Sequence, residues 1–102
     1  MPTEIQVAHK KDFESTKSIA VEVEGKKIAL FHIDEEYYAI DDECSHAGGS
    51  LSEGDVSGQT VMCPLHGAEF DIKSGQAVSE PAEEGVRSYK VIIHGDNIKI
   101  EI

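Results

Sequence analysis

Residues 44–66 read CSHAGGSLSEGDVSGQTVMCPLH. The stretch holds both cysteines of the chain, and each has a histidine close behind it. The pattern is Cys44-x-His46, sixteen intervening residues, then Cys63-x-x-His66. Residues 43–59 are loop-like, with four glycines between 48 and 59. Residues 63–68, CPLHGA, are loop-like again, because Pro64 and Gly67 force turns. A β-like run feeds each loop: YYAI (37–40) before the first and TVM (60–62) before the second. Two loops fed in this way can face each other and present four ligands to one point.

Working outward, short alternating or β-branched runs recur between turn signals. IQVA (5–8), SIAVEVE (18–24), KIALFHI (27–33), EFDI (69–72), VRSYKVII (86–93) and NIKIEI (97–102) join the two runs above. EGKK (24–27), DEE (34–36), KSGQ (73–76) and HGDN (94–97) punctuate them. The last pair of runs reads as a hairpin closing the chain, with Val91 and Ile93 on one face answered by Ile98, Ile100 and Ile102. Helical periodicity is weak, and only KKDFEST (10–16) suggests a short helical turn. The pattern predicts an all-β fold, an antiparallel sandwich or small barrel.

A chain of 102 residues supports one modest core, so a single domain over residues 1–102 is expected. The opening MPTEIQVAHKKDF has no apolar run resembling a targeting signal, and no stretch has the length a membrane span needs. Two cysteines cannot build a disulfide framework, which favours reduced thiols and a cytoplasmic location. The formal charge is −11, and its distribution is uneven. Residues 1–33 carry five acids and five bases, and 85–102 carry two acids and three bases. Residues 34–84 carry thirteen acids and one base, Lys73, a net of −12. Nucleic acid and anionic membranes are disfavoured as partners by that field, whereas a basic protein surface is attracted.

Thiolate and imidazole together suit zinc or an iron–sulfur centre. Zinc patterns usually group the cysteines together and the histidines together. Here each loop offers one of each. A single tetrahedral ion would accept that arrangement. A two-iron cluster gives it a reason, since each loop would then clamp both irons.

CSH…CPLH followed by Gly67 resembles the Rieske [2Fe–2S] signature, and the chain as a whole resembles the Rieske-type ferredoxins of bacterial aromatic ring-hydroxylating dioxygenase systems. The likeness is strongest in AIDDECSHAGGSL and CPLHGAEFDIKSG. It implies a Rieske-type β-sandwich or small barrels with a two-loop cluster-binding subdomain, the loops lying at about 43–71. It also implies that Cys44 and Cys63 bind the iron that stays ferric, and His46 and His66 the iron that is reduced. Replacing two thiolates by neutral imidazoles makes the cluster less negative and easier to reduce. As a class, Rieske centres lie at roughly −150 to +300 mV, against about −400 mV for plant-type ferredoxins.

The implied function is a non-catalytic, monomeric electron carrier of aromatic hydrocarbon catabolism, moving single electrons from a flavin-containing reductase to a terminal oxygenase. Two other readings remain open: a small Rieske-like subunit of a nitrite reductase, and a redox-silent zinc module. An oxygenase in its own right would need a mononuclear iron site, and only His9, His32 and His94 remain to supply it.

The chain departs from respiratory Rieske proteins. Gly49 and Leu65 stand where those proteins have two further cysteines, so no disulfide can staple the loops. Ala68 and Phe70 stand where they have a serine and a tyrosine hydroxyl directed at cluster sulfurs. Fewer donors leave the reduced state less stabilised, so the expected potential is on the order of −150 mV. Pro81 in SEPAEEG would, by the same resemblance, belong to a loop covering the cluster. His32, His94, Tyr37, Tyr38 and Tyr89 read as structural residues, and Gly48, Gly49 and Gly67 as setters of loop geometry.

Overall fold

The computed structural model describes residues 3–43, 50–64, 68–78 and 85–101. Among the described residues, nine strands account for the regular structure: β1 Glu4–His9, β2 Ser18–Val23, β3 Lys26–Ile33, β4 Glu36–Asp41, β5 Asp55–Ser57, β6 Thr60–Met62, β7 Glu69–Asp71, β8 Ser88–His94 and β9 Asn97–Glu101. Two short 3₁₀ turns, Lys10–Phe13 and Leu51–Glu53, complete it. The fold is all-β, as the run pattern predicts.

Six strands form one antiparallel sheet in the order β1-β9-β8-β4-β3-β2, and its two edges approach so that the sheet is nearly closed into a barrel. The other three form a small antiparallel sheet, β5-β6-β7. The hairpins follow their turn chemistry. Glu24 and Gly25 have φ of 50° and 82°, and Asp34 and Glu35 have 49° and 68°. Two consecutive positive φ values are what a two-residue loop needs to match the right-handed twist of its strands. The β8–β9 hairpin pairs His94 with Asn97 around Gly95 and Asp96, as the alternating isoleucines predict.

β3 explains why its sequence is a continuous apolar run. Ile28 and Leu30 point into the barrel with Ala8, Phe13, Val23, Ala39, Tyr89, Ile98 and Ile100. Ala29, Phe31 and Ile33 point the other way, into a second core shared with Leu51, Val61, Cys63, Ala68, Phe70 and Ile72. A strand buried on both faces has no polar side to show. Phe31 and Phe70 are fully buried in that second core. Burial of each such ring contributes about 1.5–3 kcal/mol, and the second core fastens the small sheet to the barrel.

Two elements differ from the sequence reading. The segment read as loop through residue 59 contains the 3₁₀ turn at Leu51–Glu53 and strand β5. β5 is three residues, DVS, too short to show alternation, and its pairing with β6 rather than any propensity makes it a strand. The helical turn expected at 10–16 forms over Lys10–Phe13 alone. Its start is capped by Asp12 Oδ2, which accepts from the His9 N–H at 3.0 Å.

Candidate metal centre

The first loop leaves β4 after Asp41 and returns at Ser50, where an isolated bridge pairs Glu43 with Ser50. Its root is built on Asp42, a carboxylate only 3% exposed. Asp42 Oδ2 accepts from the Ser50 hydroxyl at 2.5 Å, and Oδ1 accepts from the Ser52 N–H at 2.8 Å. The Asp42 carbonyl accepts from the Leu51 N–H at 2.6 Å, and its own N–H donates to the Lys27 carbonyl at 3.0 Å. One residue thus ties both ends of the loop to each other and to β3. A buried carboxylate that accepts this many bonds meets the requirement that buried polar groups be paired.

The second loop is the tip of the β6–β7 hairpin. The Cys63 N–H donates to the Ala68 carbonyl at 2.6 Å and closes the loop one step beyond the Met62–Glu69 pair. Cys63 is 1% exposed and belongs to the core that contains Leu51, Val61, Ala68 and Phe70. Leu51, just after the first loop, shares that core with Cys63. Gly54, at the entry to β5, lies so close to the Met62 carbonyl on the paired strand β6 that a Cβ there would clash with it. The described root residues Leu51, Cys63 and Ala68 therefore share one apolar floor.

A third segment flanks them. After β7 the chain turns at Gly75 (φ +80°) and runs back beside β7, with Ala77 bridged to Phe70 and the Val78 N–H donating to the Glu69 carbonyl at 2.9 Å. It returns at Gly85. The Val86 N–H donates to the Gly75 carbonyl at 2.7 Å, and a Cβ at Gly75 would stand 2.1 Å from the Val86 carbonyl oxygen. Only glycine combines that positive φ with that approach.

Of the four sequence-predicted ligands, Cys63 is described, and it is buried at the root of the β6–β7 loop. Cys44, His46 and His66 lie outside the described residues, as do Gly48, Gly49, Leu65, Gly67 and Pro81. The three remaining histidines take structural positions. His9 precedes the first 3₁₀ turn, and His32 stacks on Tyr37 at 4.2 Å between ring centroids, with Phe13 edge-on to both. His94 closes β8. Among the described residues, no three His, Cys, Asp or Glu side chains gather as a metal site.

Sequence reasoning missed Asp42, Gly54, Gly75 and Gly85. The signal for Asp42 was present in part: an acid two residues before Cys44, with Ser50 and Ser52 just after the loop, all candidates for local hydrogen bonding.

The Rieske [2Fe–2S] domain model matches residues 3–90. The chain belongs to that family. Its cofactor is a Rieske-type [2Fe–2S] cluster, and a buried thiol at the root of one loop, packed against the root of the other, fits such a group. Relatives of this Rieske chain include the ferredoxin component of the naphthalene 1,2-dioxygenase system of Pseudomonas aeruginosa, 36% identical over 82% of this chain and 81% of the relative. The 3-phenylpropionate/cinnamic acid dioxygenase ferredoxin subunit of Photorhabdus laumondii subsp. laumondii is 45% identical over 74% of this chain and 72% of the relative. These relatives are named as electron-transfer components and not as the oxygenases.

Among solved structures, the ferredoxin of carbazole 1,9a-dioxygenase from Nocardioides aromaticivorans IC177 superposes with a TM-score of 0.90 at 29% identity, covering 96% of each chain. A ferredoxin from a complex of reduced oxygenase and oxidized ferredoxin in carbazole 1,9a-dioxygenase gives 0.88 at 26%, covering 95% of this chain and 91% of that one. A putative small subunit of NADPH nitrite reductase gives 0.81 at 26%, covering 96% and 97%.

Proposed function

We propose that this chain is the ferredoxin of a ring-hydroxylating dioxygenase system. It accepts single electrons from a flavin reductase and delivers them to a terminal oxygenase, with Cys44, His46, Cys63 and His66 as the ligands of its cluster. The observation that carries the ligand assignment is Cys63, 1% exposed at a hairpin root, in one core with Leu51, which closes the Cys44–His46 loop by its bond to Asp42. Held there, the cluster supplies a one-electron couple. The apolar core around Cys63 keeps water from the thiolate side, and Asp42 ties the two ends of the first loop to each other and to β3. The residues of 34–84 give this part of the chain the field that draws basic partners. A single domain, a monomer and a cytoplasmic location complete the reading.

The test is the absorption spectrum of the purified protein with and without dithionite, alongside iron and sulfide counts. Two irons and two sulfides, with partial bleaching on reduction, are expected. A colourless protein with one zinc and no sulfide would end the electron-carrier reading. The likeness to the nitrite reductase small subunit supports a second reading, in which the chain is a fixed subunit of such an enzyme. Rapid reduction by a flavin reductase, followed by substrate turnover by an added terminal oxygenase, favours the carrier over the subunit.

A further inference from the structure

The small sheet has two faces of opposite character, and its register defines them. Val56, Val61, Phe70 and Ala77 lie side by side across β5, β6, β7 and the returning segment, and all four pack into the second core. One step nearer the ligand hairpin, the next row is Asp55, Met62, Glu69 and Val78, on the opposite face. Met62 is 40% exposed and Val78 52% exposed, two of the three large apolar side chains so exposed among the described residues. They flank Glu69 on neighbouring strands, so their Cα atoms are about 10 Å apart. Asp55, also exposed, ends the row, and Glu53 lies just before it. Cys63 directly follows Met62.

We propose that this row is a docking surface for the redox partner protein, extending the contact from the ligand loops onto the outer face of the β5–β6–β7 sheet. The inference rests on the electron-carrier reading. The occupant it fits presents an apolar centre within a rim of lysine and arginine. Met62 and Val78 supply the matching apolar contact, and Asp55 and Glu53 the complementary charge. The row is continuous with the hairpin that carries Cys63, so a partner seated on it is held beside the electron's exit. Two apolar side chains make a small interface. That suits transient electron-transfer encounters, which bury less surface than stable complexes.

The experiment compares the holo-protein with its Met62→Ser/Val78→Ser double variant, both reduced with dithionite and mixed in a stopped-flow instrument with excess ferric cytochrome c. That acceptor is a basic protein with an exposed haem edge, and each transfer moves one electron from the reduced chain to one ferric haem. Ferricyanide, a small acceptor needing no docking face, serves as the reference. The expected result is a second-order rate with cytochrome c lowered about fivefold in the double variant, the equivalent of roughly 1 kcal/mol of lost contact. The ferricyanide rate and the visible spectrum should not change. Equal cytochrome c rates for the two proteins would overturn the docking surface and leave the carrier reading standing. A wild-type protein that dithionite does not bleach would end the carrier reading itself. Concentration-dependent dimers of the wild type that vanish in the double variant would assign the row to self-association and overturn the proposal.

Discussion

Asp42 accepts two hydrogen bonds with its carboxylate while 3% exposed, and both donors lie beyond the first ligand loop. Asp42→Ala leaves the Ser52 N–H and the Ser50 hydroxyl without that acceptor, at a cost of about 1–3 kcal/mol. Asp42→Asn keeps one acceptor oxygen and should lose less. Denaturant unfolding of the holo-proteins, read alongside the decay of visible absorbance, checks both the cost and the order. An unchanged midpoint in Asp42→Ala would remove Asp42 from the account of the loop. Ala68 is fully buried, and its carbonyl accepts from Cys63. Ala68→Ser places a hydroxyl donor beside the proposed centre, which should raise the midpoint potential. A redox titration showing no rise would refute the hydrogen-bond argument. At this scale the proposed ligand set comes from the sequence, because thiols and imidazoles at loop spacing have few other uses, and of its four members only Cys63 is among the described residues. The residues that position the loops were not legible there. Gly54 matters for a close approach to β6 in a hairpin whose first strand was read as loop, and Asp42 looks like one more acid in an acidic run.

The joint between β4 and β8 is the shortest in the six-stranded sheet, two residue pairs, Ala39–Tyr89 and Ile40–Ser88. Asp41 extends it. Its N–H donates to the Arg87 carbonyl at 2.9 Å, its Oδ2 accepts from the Arg87 N–H at 3.2 Å, and its Oδ1 accepts from the Tyr89 hydroxyl at 2.6 Å. Burial, then the bond to Asp41, pushes the Tyr89 pKa up to about 12 from its ordinary 10.0. The folded state therefore holds the phenol proton more tightly than the unfolded state does. The resulting stability is complete below pH 10 and is lost as the pH rises towards 12. Tyr89→Phe should flatten that part of the stability–pH curve, as urea titrations across the interval would show. An identical slope in the two proteins would refute the assignment. Tyr89 reads correctly from sequence as a sheet-packing residue. Its partner stands 48 positions away, and pairings of that range leave no local trace. The hairpins were legible because their turns need positive φ and their strands alternate. β5 was not, having three residues and no pattern of its own.

Across the whole molecule, charge and architecture divide along related lines. The segment 34–84, net −12, supplies β4, the small sheet and both ligand loops, while the remaining residues sum to +1. Charge concentrated in that segment favours the approach of a basic partner to the elements it forms. On the proposed reading, reduction by a flavin reductase should slow steeply as salt rises and shortens the Debye length. A rate independent of ionic strength would remove steering from the mechanism. The asymmetry was legible in composition alone. Its bearing on the site depended on the fold, which puts Asp42, Glu43, Glu53, Asp55 and Glu69 near the roots of the two loops.

β3, with β4 beside it, stands as a wall between two rooms, with Ile28, Leu30 and Ala39 furnishing one and Ala29, Phe31, Ile33 and Ile40 the other. A wall of this kind cannot be taken down for one room alone. If the small sheet peels away, Phe31 is stripped bare while its neighbours at 28 and 30 still hold the barrel closed, so partial opening meets a penalty on a strand that has nowhere to move. The molecule should melt in a single step, and the amides of β3 should be its last to trade hydrogen for deuterium, at a rate set by global unfolding. Exchange at Phe31 keeping pace with global unfolding would mean that the half bearing the ligand loops borrows its endurance from the half that never meets an electron.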